Sequence, residues 1–344
     1  MDRFVVGSGR CGSTLLSRML DLHPEVTSIF EFFNGLDVTR RFAPSLDGAE
    51  LVELLSAEQT VVTAALRRGH TAEEVVYPFG REGARYRVED ALPWLCVAMA
   101  PRLTDDPDML FDDLVAWART RPEASAADHY RALFDWLCAR EGTRAWIERS
   151  GSSVDYAGAL ATCFPEARFL HIHRDGPETA LSMREHGIYR LPIAMLYDVA
   201  LSSGRRFSTA GGVDFAAPPE AGDWISEALE TRLDPEVFGR YWSDQVERGA
   251  RAAAEVGPER FGEISFEALV DRPRETLAFV AAFFELTPEE AWLEAAAALV
   301  HGRPPGRRST LGSAAQRALD DACAPGRAAI RTAREKGSVR TAEG

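Results

Sequence analysis

Gly7, Gly9 and Gly12 surround one cation, Arg10, and two hydroxyls, Ser13 and Thr14, follow at once. A glycine turn frees backbone N–H groups, and a turn that opens onto a helix N-terminus adds the positive end of the helix dipole, so the segment is a ready anion site. Before it, Phe4-Val5-Val6 reads as a buried strand; after it, Leu15-Leu16 begins a helix. Two templates fit. As a P-loop, Gly7 and Gly12 take the glycine positions and Thr14 the hydroxyl position, with Ser13 where the phosphate-reaching lysine belongs. As a dinucleotide fingerprint, Gly7-x-Gly9-x-x-Gly12 also fits, and Glu31 falls at the distance of a ribose-binding carboxylate.

A second constellation lies far downstream. Arg168-Phe169-Leu170-His171-Ile172-His173 reads as a strand with Arg174 at its tip, followed by a Gly176-Pro177 break and a helix that carries Ser182. Ligands of an open parallel sheet sit at the carboxyl ends of its strands, so Arg174 and the Arg10 loop are expected to face one crevice. Arg174 and Ser182, roughly two helical turns apart, form a two-point clamp for a second phosphate.

The pairing of Gly9-Arg10-Cys11-Gly12-Ser13-Thr14 with Arg174-x7-Ser182 resembles the sulfotransferases that use 3′-phosphoadenosine 5′-phosphosulfate (PAPS) and release 3′-phosphoadenosine 5′-phosphate (PAP). The likeness continues through Arg260 to Pro273, similar to the family's late strand and turn. It implies a three-layer α/β/α fold with a central parallel sheet, a P-loop-like core and helical insertions. It also implies that Gly9, Arg10, Cys11, Gly12, Ser13 and Thr14 bind the 5′ side of the donor, and Arg174 and Ser182 the 3′-phosphate. Cys11 departs from the Ser or Thr usual at its place. For the family's C-terminal 3′-phosphate loop the candidates are Arg307, Arg308 and the sole lysine, Lys336, with Arg308 taken forward.

Relatives that act on protein tyrosines place a catalytic glutamate where Glu31 stands, 21 residues after Arg10. They place a lysine that contacts the transferring group where Glu148-Arg149-Ser150 stands. The resemblance therefore assigns Glu31 as general base, with Arg10 and Arg149 supplying charge to an in-line transfer. The acceptor is expected to be a hydroxyl of a sugar, glycolipid or secondary metabolite, and no metal is required. His173 and His23 are the other bases considered. His171 and His173 share one face of their strand and read more simply as hydrogen-bonded sheet residues, and His23 before Pro24 as a turn residue. The rival readings are an NAD- or FAD-dependent oxidoreductase built on the Gly7-x-Gly9-x-x-Gly12 turn, and a nucleotide-binding module without catalysis.

These residues must be positioned by a chain of 344 residues, 46% hydrophobic and 27% charged, an ordinary soluble composition. One sulfotransferase domain over 1–344 is expected, with a helical insertion at about 35–140, an irregular lid-like segment at about 185–235 and a frayed tail at about 335–344. Strands are expected at Val26–Ile29 and Trp146–Ser150 as well, with helices at Thr14–Leu22 and up to Phe164. A net charge of −14 with no long basic stripe argues against nucleic acid as a partner. Five cysteines without framework or metal spacing, no apolar run of membrane length and a first strand at residue 3 make the cytoplasm the expected compartment. Oligomeric state stays open.

Overall fold

A computed structural model of the chain describes residues 1–342. Six strands form one sheet in the order β2-β3-β1-β4-β5-β6: β1 Arg3–Gly7, β2 Val26–Phe30, β3 Ala145–Arg149, β4 Arg168–His173, β5 Phe261–Ser265 and β6 Arg340–Thr341. Every neighbouring pair is parallel. Parallel strands need crossovers, and here helices supply them on both faces, which is why β1 to β5 are buried along nearly their whole length rather than at alternate residues.

Period-two geometry divides β1 between two cores. Phe4 and Val6 join Ile29, Phe169 and Phe261 on one face, while Val5 joins Ile147, Leu170, Ile172 and Ile264 on the other. Phe4 lies stacked 5.4 Å from Phe169 on the adjacent strand. Burying such a side chain completely stabilises the fold by about 2–3 kcal/mol. The chain leaves β1 toward β2 on one side and returns to β4 on the other. The carboxyl ends of β1, β3 and β4 thereby surround the point where strand order reverses.

The helix Ser13–Asp21 follows β1 with Gly12 as its N-cap and no capping side chain, so its first amides keep no protein partner from the cap. The helix Gly176–Glu185 follows β4; Asp175 caps it by accepting from Glu178 N at 3.1 Å, and Pro177 sits in the first turn.

Two stretches differ from the sequence reading. Within 185–235, where irregular chain is expected, Gly187–Leu196 is helical despite Pro192, because Leu191, Ile193 and Ala194 are buried against the helices around Trp242. Burial of that face outweighs the lost backbone hydrogen bond. Within 335–344, Arg340 and Thr341 extend the sheet by pairing with Gly262 and Glu263 instead of fraying, and Val339 is buried beside them. The last two residues of that tail lie outside the described residues.

Candidate active site

Sheet register brings the two glycine and arginine motifs together. Gly7 at the end of β1 pairs with Ile172, so the loop after β1 and the Arg174 tip of β4 emerge side by side. Gly9, Arg10 and Gly12 all take the left-handed conformation (φ 71°, 51° and 92°), which turns successive amides inward. A Cβ at Gly12 would stand 2.3 Å from the Phe266 ring, and one at Gly9 would stand 2.1 Å from the Tyr189 hydroxyl. Glycine is required at both positions for conformation and for space.

Arg10, Gly12, Ser13, Thr14, Glu31, Arg149, Arg174 and Ser182 line one cavity of about 230 Å³. Arg10 Nε donates to Ser182 Oγ at 3.3 Å across 172 residues of sequence. Its Nη1 pairs with Glu73 at 2.6 Å. Arg174 is 9% exposed and makes no hydrogen bond or ion pair with the described residues. Its guanidinium lies 4.8 Å over the Phe266 ring, between this cavity and another of about 430 Å³ lined by Glu178, Phe266, Arg303 and Gly306. Glu267, Glu178 and Asp175 lie near enough to favour its charge without pairing with it, so a ligand anion would satisfy donors that the protein leaves open.

The Glu31 and Arg149 candidates meet in a buried ion pair. Arg149 also donates to Ser17 Oγ at 3.0 Å and reaches Thr14 Oγ1 at 3.4 Å, which aims it at the helix start. The Glu31 carboxylate accepts in addition from Asn34 Nδ2 at 2.7 Å and from Gly151 N at 3.0 Å. Its backbone is left-handed (φ 54°), and its carbonyl accepts from Trp94 Nε1 at 2.5 Å. Of the five non-glycine residues with positive φ among the described residues, Arg10 and Glu31 line this cavity and Ser152 the one adjoining it, where strain held by surrounding contacts commonly marks function.

The remaining sequence candidates fall elsewhere. The Cys11 side chain is fully buried in the core beneath the loop, so only its backbone can face a ligand. Arg308 is exposed and paired with Asp320, its amide bonded to Glu178 on the rim, and its side chain does not line the cleft. His23 is bonded to Thr287 O at 2.9 Å beside Trp292, and His173 to Glu263 at 3.2 Å, so neither histidine faces the cavity of Glu31. Glu31, held by Arg149, Asn34 and Gly151, is not free to take a ribose as the dinucleotide template needs.

Sequence reading missed Glu73, Glu74, Gly151, Ser152, Tyr189 and Phe266. Phe266 had a signal, since it directly follows the strand that pairs with β4. Glu73 and Glu74 had none, because they sit in chain without periodicity. Burial and the charge of Glu31 raise the Glu74 carboxyl above its usual range. Burial, then Arg10, lowers His186, which lies beside both glutamates. Among the described residues no group of side chains is arranged to hold a metal, and no helix is long and apolar enough to cross a membrane.

Comparison with solved structures finds a sulfotransferase from Alicyclobacillus acidocaldarius at 17% identity, covering 96% of this chain and 95% of that one, TM-score 0.42. The sulfotransferase domain of the Synechococcus PCC 7002 olefin synthase is similar at 17% identity, over 97% and 94%, TM-score 0.45. Sulfotransferase STF9 from Mycobacterium avium stands at 18%, over 97% and 75%, TM-score 0.42. No curated protein matches the chain. A family model described as the sulfotransferase family matches residues 3–190, more than half of the sequence, a span that holds both arginine motifs, Glu31 and Arg149. The protein thus belongs to the sulfotransferase family, enzymes of sulfuryl transfer.

Proposed function

We propose that the cleft transfers a sulfuryl group from PAPS to a hydroxyl of a small-molecule acceptor and releases PAP. The observation that carries this reading is the Arg10–Ser182 hydrogen bond across 172 residues beside the unpaired, buried Arg174. It supports one ligand with an anion at each end. The 5′ side fits the left-handed turn Gly9–Gly12 and the start of the helix Ser13–Asp21, with Cys11 contributing backbone only. The 3′-phosphate fits Arg174 and Ser182, and Phe266, with Arg174 over its ring, borders the space beside them.

In the transfer, the acceptor oxygen bonds to sulfur while the bond from sulfur to the 5′-phosphate oxygen breaks, and the hydroxyl proton passes to Glu31. Arg149 and Arg10 meet the charge that develops on the transferring and leaving oxygens. Such catalysis is mainly positioning and electrostatics, which suits a site whose groups are fixed by buried hydrogen bonds before any ligand arrives. The segments at about 35–140 and 185–235 supply the acceptor side through Glu73, Glu74, Trp94, His186 and Tyr189.

The test is thermal unfolding with PAP against adenosine 5′-phosphate, NAD and ATP. At a hundredfold excess over its dissociation constant, PAP should stabilise the protein by about 2.7 kcal/mol. The stabilisation should require the 3′-phosphate and vanish in Arg174→Ala. Equal stabilisation by adenosine 5′-phosphate, or a stronger response to NAD, would reject the donor.

A further inference from the structure

A second cavity of about 190 Å³ adjoins the donor cavity and shares Glu74, Gly151 and Tyr189 with it. Its other walls include Trp94, Ile188, Pro192 and Tyr241, a body of aromatic and apolar surface. Among the described residues, two polar side chains in it make no hydrogen bond to another residue and stand near each other and Glu73. His186 is 7% exposed, and neither of its ring nitrogens has a hydrogen bond among the described residues; Nε2 stands 3.9 Å from Glu73 and 3.9 Å from Glu74. Glu74, half-buried, has no arginine within ion-pair distance among the described residues; burial raises its carboxyl and lowers the neighbouring imidazole.

The charges of the cleft can be matched one by one. Three arginines, Arg10, Arg149 and Arg174, and three glutamates, Glu31, Glu73 and Glu74, line the donor cavity. Arg149 is taken by Glu31 and Arg10 by Glu73, which leaves Arg174 and Glu74 without an ion pair among these lining residues; Arg102, outside the lining, donates to the Glu74 carbonyl at 2.8 Å and lies near its carboxylate without pairing with it. A donor phosphate answers Arg174 and leaves Glu74 unanswered. The donor's other end competes with Glu73 for Arg10, so binding also frees a second carboxylate next to His186. In the loaded enzyme an acceptor meets an excess of negative charge, with aromatic faces around it.

We propose that this second cavity binds the acceptor, and that the acceptor is a hydroxyl compound bearing a protonated amine on an aromatic or apolar body. Glu74, joined by Glu73 once it leaves Arg10, accepts the ammonium N–H groups, a free ring nitrogen of His186 accepts another, and Trp94, Tyr189 and Tyr241 flank the body. The hydroxyl lies at the shared wall near Gly151, beside Glu31. This inference rests on the donor reading given above and adds the charge class of the acceptor. Anionic acceptors, such as phosphorylated sugars or uronates, are excluded on the same grounds.

The experiment measures PAP release from PAPS with two matched trios. The phenols are tyramine, tyrosol and 4-hydroxyphenylacetate; the alcohols are 4-(aminomethyl)benzyl alcohol, 1,4-benzenedimethanol and 4-(hydroxymethyl)benzoate. In at least one trio the ammonium member should exceed the neutral one in kcat/KM by about tenfold or more and the carboxylate by about a hundredfold, the scale of one close, partly desolvated charge contact in each comparison. In Glu74→Gln the ammonium-to-neutral ratio should fall about tenfold, and in Glu74→Lys the carboxylate member should become the best of its trio. Stabilisation by PAP serves as the folding control for both variants. Preference of the wild type for a neutral or carboxylate member, or no transfer to any of the six while PAP still stabilises the protein, overturns the inference and leaves the donor reading standing. Absence of PAP stabilisation in the wild type rejects the donor reading itself, and the inference with it.

Discussion

Arg174 and Glu31 are held in opposite ways. Arg174 is buried beside a ring and offers its donors to the cleft, whereas Glu31 is fixed by Arg149, Asn34, Gly151 and its own left-handed backbone. The first arrangement waits for an anion; the second fixes a carboxylate in one direction. Glu31→Gln keeps the shape and the contacts with Asn34 and Gly151 but removes the proton acceptor. Turnover should fall by about 10²–10⁴-fold while PAP still stabilises the protein, as steady-state assays and thermal unfolding will read. Unchanged turnover would remove Glu31 from the chemistry. The variant should also unfold more readily, because Arg149 loses its buried partner, a loss of about 3–5 kcal/mol where nothing compensates. Both residue types and their spacing were legible in the chain. That Arg149 would pair with Glu31 was not, since 118 residues separate them and only the β2–β3 register makes them neighbours.

At the scale of the elements, the β1 loop turns its amides inward through left-handed bends at Gly9, Arg10 and Gly12, and Gly12 is one with no room for a side chain. In Gly12→Ala the new methyl would press on Phe266 at a φ of 92°. PAP affinity should weaken by about tenfold or more, the equivalent of one lost bend of this kind. Gly69→Ala is the matched control, since Gly69 has φ 78° and open space around it; it should cost stability and leave PAP affinity unchanged in the same titration. Glu73, on the chain between the helix Thr60–Arg67 and Trp94, occupies Arg10 and so would compete with the proposed donor. Glu73→Gln should tighten PAP several-fold, by about 0.5–1 kcal/mol for a pair this exposed, and calorimetry at low and high salt will show whether the gain fades with screening. The strand, loop and helix order could be read from hydrophobic periodicity. The helix Gly187–Leu196 could not, because Pro192 interrupts its pattern and only burial of Leu191, Ile193 and Ala194 secures it.

For the molecule as a whole, two buried groups set opposite limits on stability. Burial pushes the Glu148 carboxyl up to about 8 from 4.5, with Ser150 Oγ donating to it and its other oxygen unpartnered. The folded protein therefore holds a proton there that the unfolded chain releases. That contribution is full below pH 4.5 and is lost as pH rises through 8. Burial, aided by His173, brings His171 down to about 4 from 6.5, so its contribution is full above pH 6.5 and is lost as pH falls to 4. At the far end of its window the first is worth on the order of 5 kcal/mol and the second on the order of 3 kcal/mol. Urea denaturation from pH 4 to 9 should find Glu148→Gln flattening the alkaline limb and His171→Phe the acid limb; limbs that survive these changes would assign the slopes to other groups. By itself the sequence determined the strands β1 to β4, the glycine loop after β1, the Arg174 tip and the carboxylate at Glu31, because each rests on local periodicity or on a fixed spacing within one element. Tertiary structure alone decided which charges cancel and which stay open: that Arg10 reaches Ser182, that Arg149 holds Glu31, and that Glu74 and His186 are left facing a cavity. Those outcomes depend on register and packing between segments far apart in the chain, and a charge carries no local mark of the partner it will meet.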